Sequence, residues 1–153
     1  MESEEGLGEH FPEWFKIRET KLNMISVEVP LEKYVEAARF LRSKGYDRLL
    51  MISGVDWAKK NHFEVYFVLY HLKKSIYLKV SATVPREKPD IPSLSELYPN
   101  AINHERELCE LFGITINGKK LPPLFVEGWN GPPPFRKDFG WRRYVKEAYG
   151  LEK

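Results

Sequence analysis

His-Phe-Glu-Val-Tyr-Phe-Val-Leu-Tyr-His (residues 62–71) and, after a Lys73-Lys74 turn, Ile-Tyr-Leu-Lys-Val-Ser-Ala-Thr-Val (residues 76–84) decide the fold class. In the second run Ile76, Leu78, Val80, Ala82 and Val84 alternate with Tyr77, Lys79, Ser81 and Thr83, the period of a half-buried strand. The first run is apolar on both faces, which predicts a position inside a sheet. Arg48 to Val55 reads as a strand ending at Asp56-Trp57 and the polar turn Lys59-Lys60-Asn61, so three successive strands form an antiparallel meander.

Upstream, Ile25, Val27 and Val29 alternate with Ser26 and Glu28 until Pro30 closes another strand. Residues 31–44 place Leu31, Tyr34, Val35, Ala38 and Leu41 on one helical face, and Gly45 stands where a left-handed cap is expected. Residues 10–21 hold Phe11, Trp14, Phe15 and Ile17 among charges and read as a short amphipathic helix. Pro85 to Pro92 reads as a loop. A second helix is predicted from Asn100, its N-cap, to Phe112, with Gly113 as the stop. Ile114-Thr115-Ile116 and Asn117-Gly118 follow as a short edge strand and turn.

This order predicts an α+β domain over residues 1–113: a mixed or antiparallel sheet of about four strands with helices on one face. Residues 114–153 read differently. They contain five prolines and little apolar periodicity, yet Trp129, Phe135, Phe139, Trp141, Tyr144 and Tyr149 are too many aromatics for a solvated linker. Such a segment is expected to be an extended tail that wraps a partner. It also carries the basic excess, eight Lys/Arg against four Asp/Glu, whereas the first 113 residues carry sixteen against eighteen.

With 153 residues, 42% hydrophobic and 30% charged, the chain can bury one core. No apolar run approaches the ~20 residues that cross a bilayer, and the acidic Met-Glu-Ser-Glu-Glu start predicts no secretory signal and a cytoplasmic location. Cys109 is the only cysteine, which excludes an internal disulfide and argues against a self-contained iron–sulfur or zinc site. The absence of glutamine beside abundant Lys and Glu leans toward a thermophile.

The second helix carries the most chemistry. Glu105 has Ala101, Ile102, Leu108 and Cys109 three and four residues away, so its carboxylate leaves from a mainly apolar face. Arg106 can reach Glu110, while Glu107 shares a polar face with Asn103, His104 and Glu110. The plain reading is a surface helix with weak ion pairs. The sharper one gives Glu105 a cationic partner from the tail, Arg136 or Lys137, because an unpaired charge near a core is costly. A general-acid role lacks a second catalytic group nearby.

His-Glu-Arg-Glu-Leu-Cys-Glu-Leu-Phe-Gly-Ile (104–114), Asn-Gly-Lys-Lys-Leu (117–121), Trp-Asn-Gly-Pro (129–132) and Phe-Arg-Lys-Asp-Phe (135–139) together resemble the thirty-kilodalton subunit family of respiratory complex I. Val27-Glu28-Val29, Ser53-Gly54-Val55-Asp56 and Tyr70-His71-Leu72 extend the resemblance over roughly residues 23–140. Lys119 stands where the family has a histidine, Phe135 replaces a leucine behind an extra proline, and the chain stops soon afterwards. These departures favour an archaeal relative of the energy-converting hydrogenase or sulfur-reducing kind.

The resemblance implies a peripheral subunit, on the cytoplasmic face of the membrane, of a complex that couples electron transfer to ion translocation. It implies no active site and no cofactor in this chain alone. The partners would be a nickel–iron-hydrogenase-like large subunit and a small iron–sulfur subunit, which carry the iron–sulfur clusters and, in hydrogenases, nickel–iron. The implied partner interface comprises Glu105, Arg106, Glu107, Lys119, Trp129, Phe135, Arg136, Lys137, Asp138, Phe139 and Trp141.

Two rival classes remain open on the sequence. A nucleic-acid binder could use Arg136, Lys137, Arg142, Arg143 and Lys146 among the tail aromatics, although Asp138 and Glu147 interrupt the patch. A stand-alone enzyme has little to use: His10, His62, His71 and His104 are scattered, Ser53-Gly54 lacks the glycine that flanks a nucleophile elbow, and no phosphate-binding glycine loop occurs.

Overall fold

A computed structural model of the chain describes residues 11–125 and 131–150. The meander forms as its alternation requires. Strand β4 (His62–His71) pairs antiparallel with β5 (Ile76–Pro85) over its whole length, and β3 (Arg48–Trp57) pairs antiparallel on the other side of β4. A bulge between Leu49 and Met51 shifts the β3 register. Strand β2 (Met24–Glu28) joins β5 in parallel, because helix α1 (Tyr34–Ser43) carries the chain across the sheet to β3 at the far edge. Strand β1 (Lys16–Lys21) then pairs antiparallel with β2. The sheet is therefore mixed, with order β1-β2-β5-β4-β3 and five strands in place of about four.

The extra strand replaces part of the short helix expected over residues 10–21. Phe11, Trp14 and Phe15 have helical spacing, but they form a stacked aromatic cluster, with Phe15 also packed on Phe40 of α1. All six residues of β1 are exposed, so no inward alternation marks it in the sequence. The edge strand is dictated by backbone pairing with β2, which side-chain periodicity does not report.

One sheet face is covered. Phe63, Val65, Phe67 and Leu69 of β4 and Leu78, Val80, Ala82 and Val84 of β5 are buried there. Helix α1 supplies Tyr34, Ala37, Ala38 and Leu41, and helix α2 (Ala101–Phe112) supplies Ala101, Leu108, Cys109 and Phe112. Tyr34 meets Phe67 edge-on at 5.1 Å, and Phe112 meets Phe63 at 6.2 Å. Phe63 and Phe67 lie four residues apart on one strand and so share a face, which places both helices on the same side. The alternate residues of β4, including Glu64, Tyr66, Val68 and Tyr70, are only half-buried.

Two short strands extend the core. Asp90–Ile91 (β6), within the stretch expected to be a loop, pairs in parallel with Thr115–Ile116 (β7). Ile114 and Ile116 are buried, so core packing continues past Gly113. Asn117 and Gly118 have φ of 52° and 74°, the pair of left-handed residues that a tight hairpin turn requires. Ile116 and Lys119 close that turn, each amide donating to the other's carbonyl at 2.9 and 3.0 Å. Asn100 does start α2, but its side-chain amide donates to the Leu49 carbonyl at 2.8 Å instead of capping the helix. A third helix, α3 (Trp141–Tyr149), buries none of its residues.

Gly45 ends α1 at φ +98°, and a Cβ there would lie 2.5 Å from His71 Nε2. A Gly45→Ala variant is expected to lose at least about 1–2 kcal/mol of stability, the cost of a left-handed L-residue before any clash. Urea denaturation compared with the parent chain measures it.

Candidate partner interface

The Glu-Arg-Glu helix works by satisfying backbone groups. Glu105 is fully buried and accepts hydrogen bonds from the Leu94 amide (2.7 Å) and the Ser93 hydroxyl (2.8 Å). The cation expected from Arg136 or Lys137 does not come. Neutral donors at short range suffice to hold a carboxylate in a core, and they pin the loop before α2 onto the helix. Burial still pushes the Glu105 carboxyl above its ordinary range, against the pull of these two bonds. Burial, and secondarily Glu105 itself, also raises the phenol of Tyr34.

Arg106 does not pair with Glu110 as its spacing suggests. Its Nε and Nη2 donate to the carbonyls of Pro122 (3.0 Å) and Pro123 (2.7 Å), while Glu110 Oε2 accepts from the amides of Leu124 (2.8 Å) and Phe125 (2.9 Å). The chemistry follows the sequence of the tail. Prolines have carbonyls but no N–H, so they need a donor, and the next two residues have amides that need an acceptor. An arginine and a glutamate four apart on one helix face supply both.

The end of α2 grips the second tail motif. Gly113 adopts φ +73°, and a Cβ on it would fall 2.8 Å from Pro133 Cγ and 3.1 Å from Arg136 Nη2. The unpaired carbonyls of the last helical turn are taken by this segment. The Phe135 amide donates to Leu111 at 2.8 Å, and Arg136 Nε donates to Phe112 at 2.8 Å. Arg136 thus sits at the negative end of the helix dipole, with its guanidinium over the Phe63 ring at 5.3 Å. The Phe135 ring packs edge-on against Phe112 at 5.8 Å.

The same segment closes on a buried ion pair. Asp56, at the end of β3, accepts Arg86 Nε at 3.1 Å and Nη2 at 3.0 Å. It also accepts the backbone amide of Lys137 at 2.8 Å. Arg86 reaches Asp138 at 3.1 Å. The hydrogen bond to Asp56 is the first cause that holds the Arg86 guanidinium above its usual range. The Lys137 ammonium stands 5.8 Å from the Trp57 ring. Phe139 then packs against Trp141 (4.9 Å) and Tyr144 (5.4 Å) at the start of α3.

Of the residues singled out in the sequence, Phe135, Arg136, Lys137 and Asp138 converge on the end of α2 and of β3. Arg106 holds the earlier part of the tail, and Phe139 and Trp141 continue it. Glu105 faces the core, Glu107 is partly exposed, and Lys119 is exposed on the β7 turn. Trp129 lies outside the described residues. Sequence reasoning misses Asp56, Arg86 and Glu110 as anchors of the tail. Asp56 looks like a turn residue because the strand signal fades at Val55, whereas β3 continues through Trp57. Arg86 follows β5 with no motif around it.

Cys109 is buried, which raises its thiol. Among the described residues no three His, Cys, Asp or Glu side chains gather as a metal-ligand set, and no helix is long and apolar enough to cross a membrane.

The two motifs joined by the Phe135–Leu111 hydrogen bond lie within one family match. Residues 27–145 fit the 30 kDa subunit of respiratory-chain NADH dehydrogenase. The chain belongs to that family. Among 30 kDa-type relatives, the C subunit of NADH-quinone oxidoreductase from Roseiflexus castenholzii is 40% identical, over 74% of this chain and 68% of its own length. The C subunit of F(420)H(2) dehydrogenase from Methanosarcina mazei is 33% identical over 75% of each chain. The longer C/D subunit of NADH-quinone oxidoreductase from Pseudomonas aeruginosa is 28% identical over 91% of this chain, which spans only 25% of that protein. A solved chain of the membrane-bound sulfane sulfur reductase, an archaeal respiratory membrane complex, superposes with a TM-score of 0.83 at 25% identity, covering 92% of this chain and 86% of that one. The trypsin-resistant fragment of Nqo5 superposes with a TM-score of 0.62 at 27% identity, covering 68% and 86%.

Two measurements test this geometry. Asp56→Ala removes two hydrogen bonds from Arg86, which keeps Asp138, and one from the Lys137 amide, so a loss of about 1–3 kcal/mol is expected in urea denaturation, with faster exchange of the Lys137 amide. Glu105→Gln addresses the raised carboxyl. A group whose folded value exceeds its unfolded one stabilises the fold below the unfolded value, and loses that contribution as pH rises through the folded value. The parent chain should therefore gain stability relative to Glu105→Gln as pH falls from neutrality toward the ordinary glutamate value of 4.5. Parallel pH-dependent unfolding curves would contradict this.

Proposed function

We propose that this 30 kDa-type chain is a non-catalytic scaffold in the peripheral arm of a membrane-bound, complex-I-like oxidoreductase that couples electron transfer to ion translocation. One observation carries the reading. The tail backbone is anchored to α2 and β3 at residues 122–125, 135 and 137, yet Phe125, Phe135 and Trp141 remain 59%, 58% and 55% exposed. Fixed backbone beneath exposed aromatics is a preorganised docking ridge, because the ordering cost of the segment is met before a partner arrives.

The reading assigns this ridge to a large subunit of the nickel–iron-hydrogenase type, with a small iron–sulfur subunit beside it. Clusters, and any nickel, belong to those neighbours, at the cytoplasmic side of the membrane. Support comes from the relatives: their names specify a quinone, F(420)H(2) and sulfane sulfur. A subunit shared among such different reactants suits a role in shape and assembly. The nucleic-acid alternative loses ground because Arg136 donates to Phe112 and Arg143 pairs with Glu147 at 2.9 Å.

Truncation after Phe125 keeps Ile114, Ile116 and the Arg106 and Glu110 contacts while removing the second anchor and α3. The shortened chain is expected to stay folded by circular dichroism and to stop co-purifying with the iron–sulfur subunits of its complex. Retention in the complex at parental stoichiometry would overturn the role given to the tail.

A further inference from the structure

The turn after β7 carries a chemistry that the partner interface does not use. Asn117 is followed by Gly118, and both are exposed. An asparagine before glycine is open to cyclisation, because no Cβ on the next residue shields its amide nitrogen. The Gly118 nitrogen attacks Asn117 Cγ, and a C–N bond forms as the Cγ–Nδ2 bond breaks. Ammonia leaves with the proton lost by the Gly118 nitrogen. Water then opens the succinimide ring at either carbonyl, giving aspartate or isoaspartate.

In the folded chain both reacting groups are held apart by another segment. The Gly118 amide donates to Asp90 Oδ1 at 2.7 Å, and Asn117 Oδ1 accepts the Ser93 amide at 3.2 Å. The Asn117 amide donates to the Ile91 carbonyl at 2.9 Å. Asp90 Oδ1 is oriented in turn by the Thr115 hydroxyl, which donates to it at 2.6 Å. Ring closure requires the Gly118 nitrogen to leave Asp90 and the side-chain carbonyl to leave Ser93. It also requires the main chain to rotate out of the left-handed turn, in which Asn117 has φ 52°. The stretch from Asp90 to Ser93 supplies the partners that oppose each of these movements.

From this we infer that Asn117-Gly118 is a latent deamidation site, locked in the folded chain by Asp90 and Ser93. Its modification reaches beyond the turn. Isoaspartate inserts a methylene into the main chain and removes the side-chain amide, which ends the closure between Ile116 and Lys119. Ser93 and Leu94 are also the residues that hold Glu105, so a turn that lets go of Ser93 loosens the loop pinned on α2. The site is independent of the tail's proposed role, because none of its hydrogen bonds involves the tail segments that α2 and β3 anchor.

The test incubates the full chain at mildly alkaline pH, folded and in urea, and quantifies aspartate and isoaspartate at Asn117 by peptide mapping. The chain's other such pair, Asn130-Gly131, reports the intrinsic rate in urea. Asn117 is expected to react like Asn130 in urea and at least about tenfold more slowly in the folded parent, the factor that 1.4 kcal/mol gives. Asp90→Ala should remove most of that protection, whereas Asp90→Asn, which keeps an acceptor oxygen, should retain it. Equal rates at Asn117 in the folded and unfolded parent overturn the inference. A folded Asp90→Ala chain that reacts no faster than the parent also overturns it, and a slower one makes Asp90 a base for the cyclisation. Hydrogen exchange of the Gly118 amide in the parent reads the same bond without a variant: slow exchange is expected, and exchange as fast as in urea overturns the lock even where Asp90→Ala fails to fold.

Discussion

A proline-rich segment without strand or long helix must still find partners for its backbone groups, and the rest of this architecture follows from how that demand is met. The carbonyls of Pro122 and Pro123 have Arg106, and the amides of Leu124 and Phe125 have Glu110. Farther on, the amides of Phe135 and Lys137 have Leu111 and Asp56. Each partner sits on α2 or at the end of β3. The charged residues of the helix are therefore spent on main chain, where one arginine or glutamate fixes two successive residues. Such bonds orient a segment more firmly than exposed side-chain ion pairs would.

The polar anchors grade from the core outward. Glu105 lies fully inside and is held by neutral donors; Asp56 is buried but paired with Arg86; Arg106 and Glu110 are partly exposed; and Asp138 stands in solvent. Charge is tolerated at each depth because its counter-group matches the local dielectric. The innermost carboxylate has neutral hydrogen-bond donors and a raised affinity for a proton, whereas the next one outward has a guanidinium. This gradient connects the hydrophobic core to the tail without leaving an unpaired ion between them. It makes residues 114–125 and 131–138 part of the folded unit, while the Phe125 and Phe135 side chains remain exposed.

An aromatic ridge and an uncovered sheet face have different origins among the described residues. The aromatic ridge exists because the tail is fixed from beneath. The uncovered sheet face exists because two helices on one side suffice to bury the alternating apolar residues of β4 and β5. Relatives named for a quinone, F(420)H(2) and sulfane sulfur are 25–40% identical to the chain.

Much is legible in the chain alone. Alternation in residues 62–84 determined the central hairpin, the 3.6-residue spacing of Leu31 to Leu41 determined α1, and Gly45 and Gly113 determined where two helices stop, because these signals are local and physical. The joint occurrence of Glu-Arg-Glu and Arg-Lys-Asp determined the family. Tertiary structure alone decided which groups those motifs touch. It sent Arg106 and Glu110 to the tail, gave Glu105 to Ser93 and Leu94, and joined Asp56 to Arg86 and Lys137 across 30 and 81 residues. It also made an edge strand of residues 16–21, whose exposed side chains carry no inward pattern. Hydrogen bonds between distant segments, and strand pairing at an exposed edge, leave no periodic trace in a sequence; they are settled only when the backbone groups of the folded chain have to be satisfied.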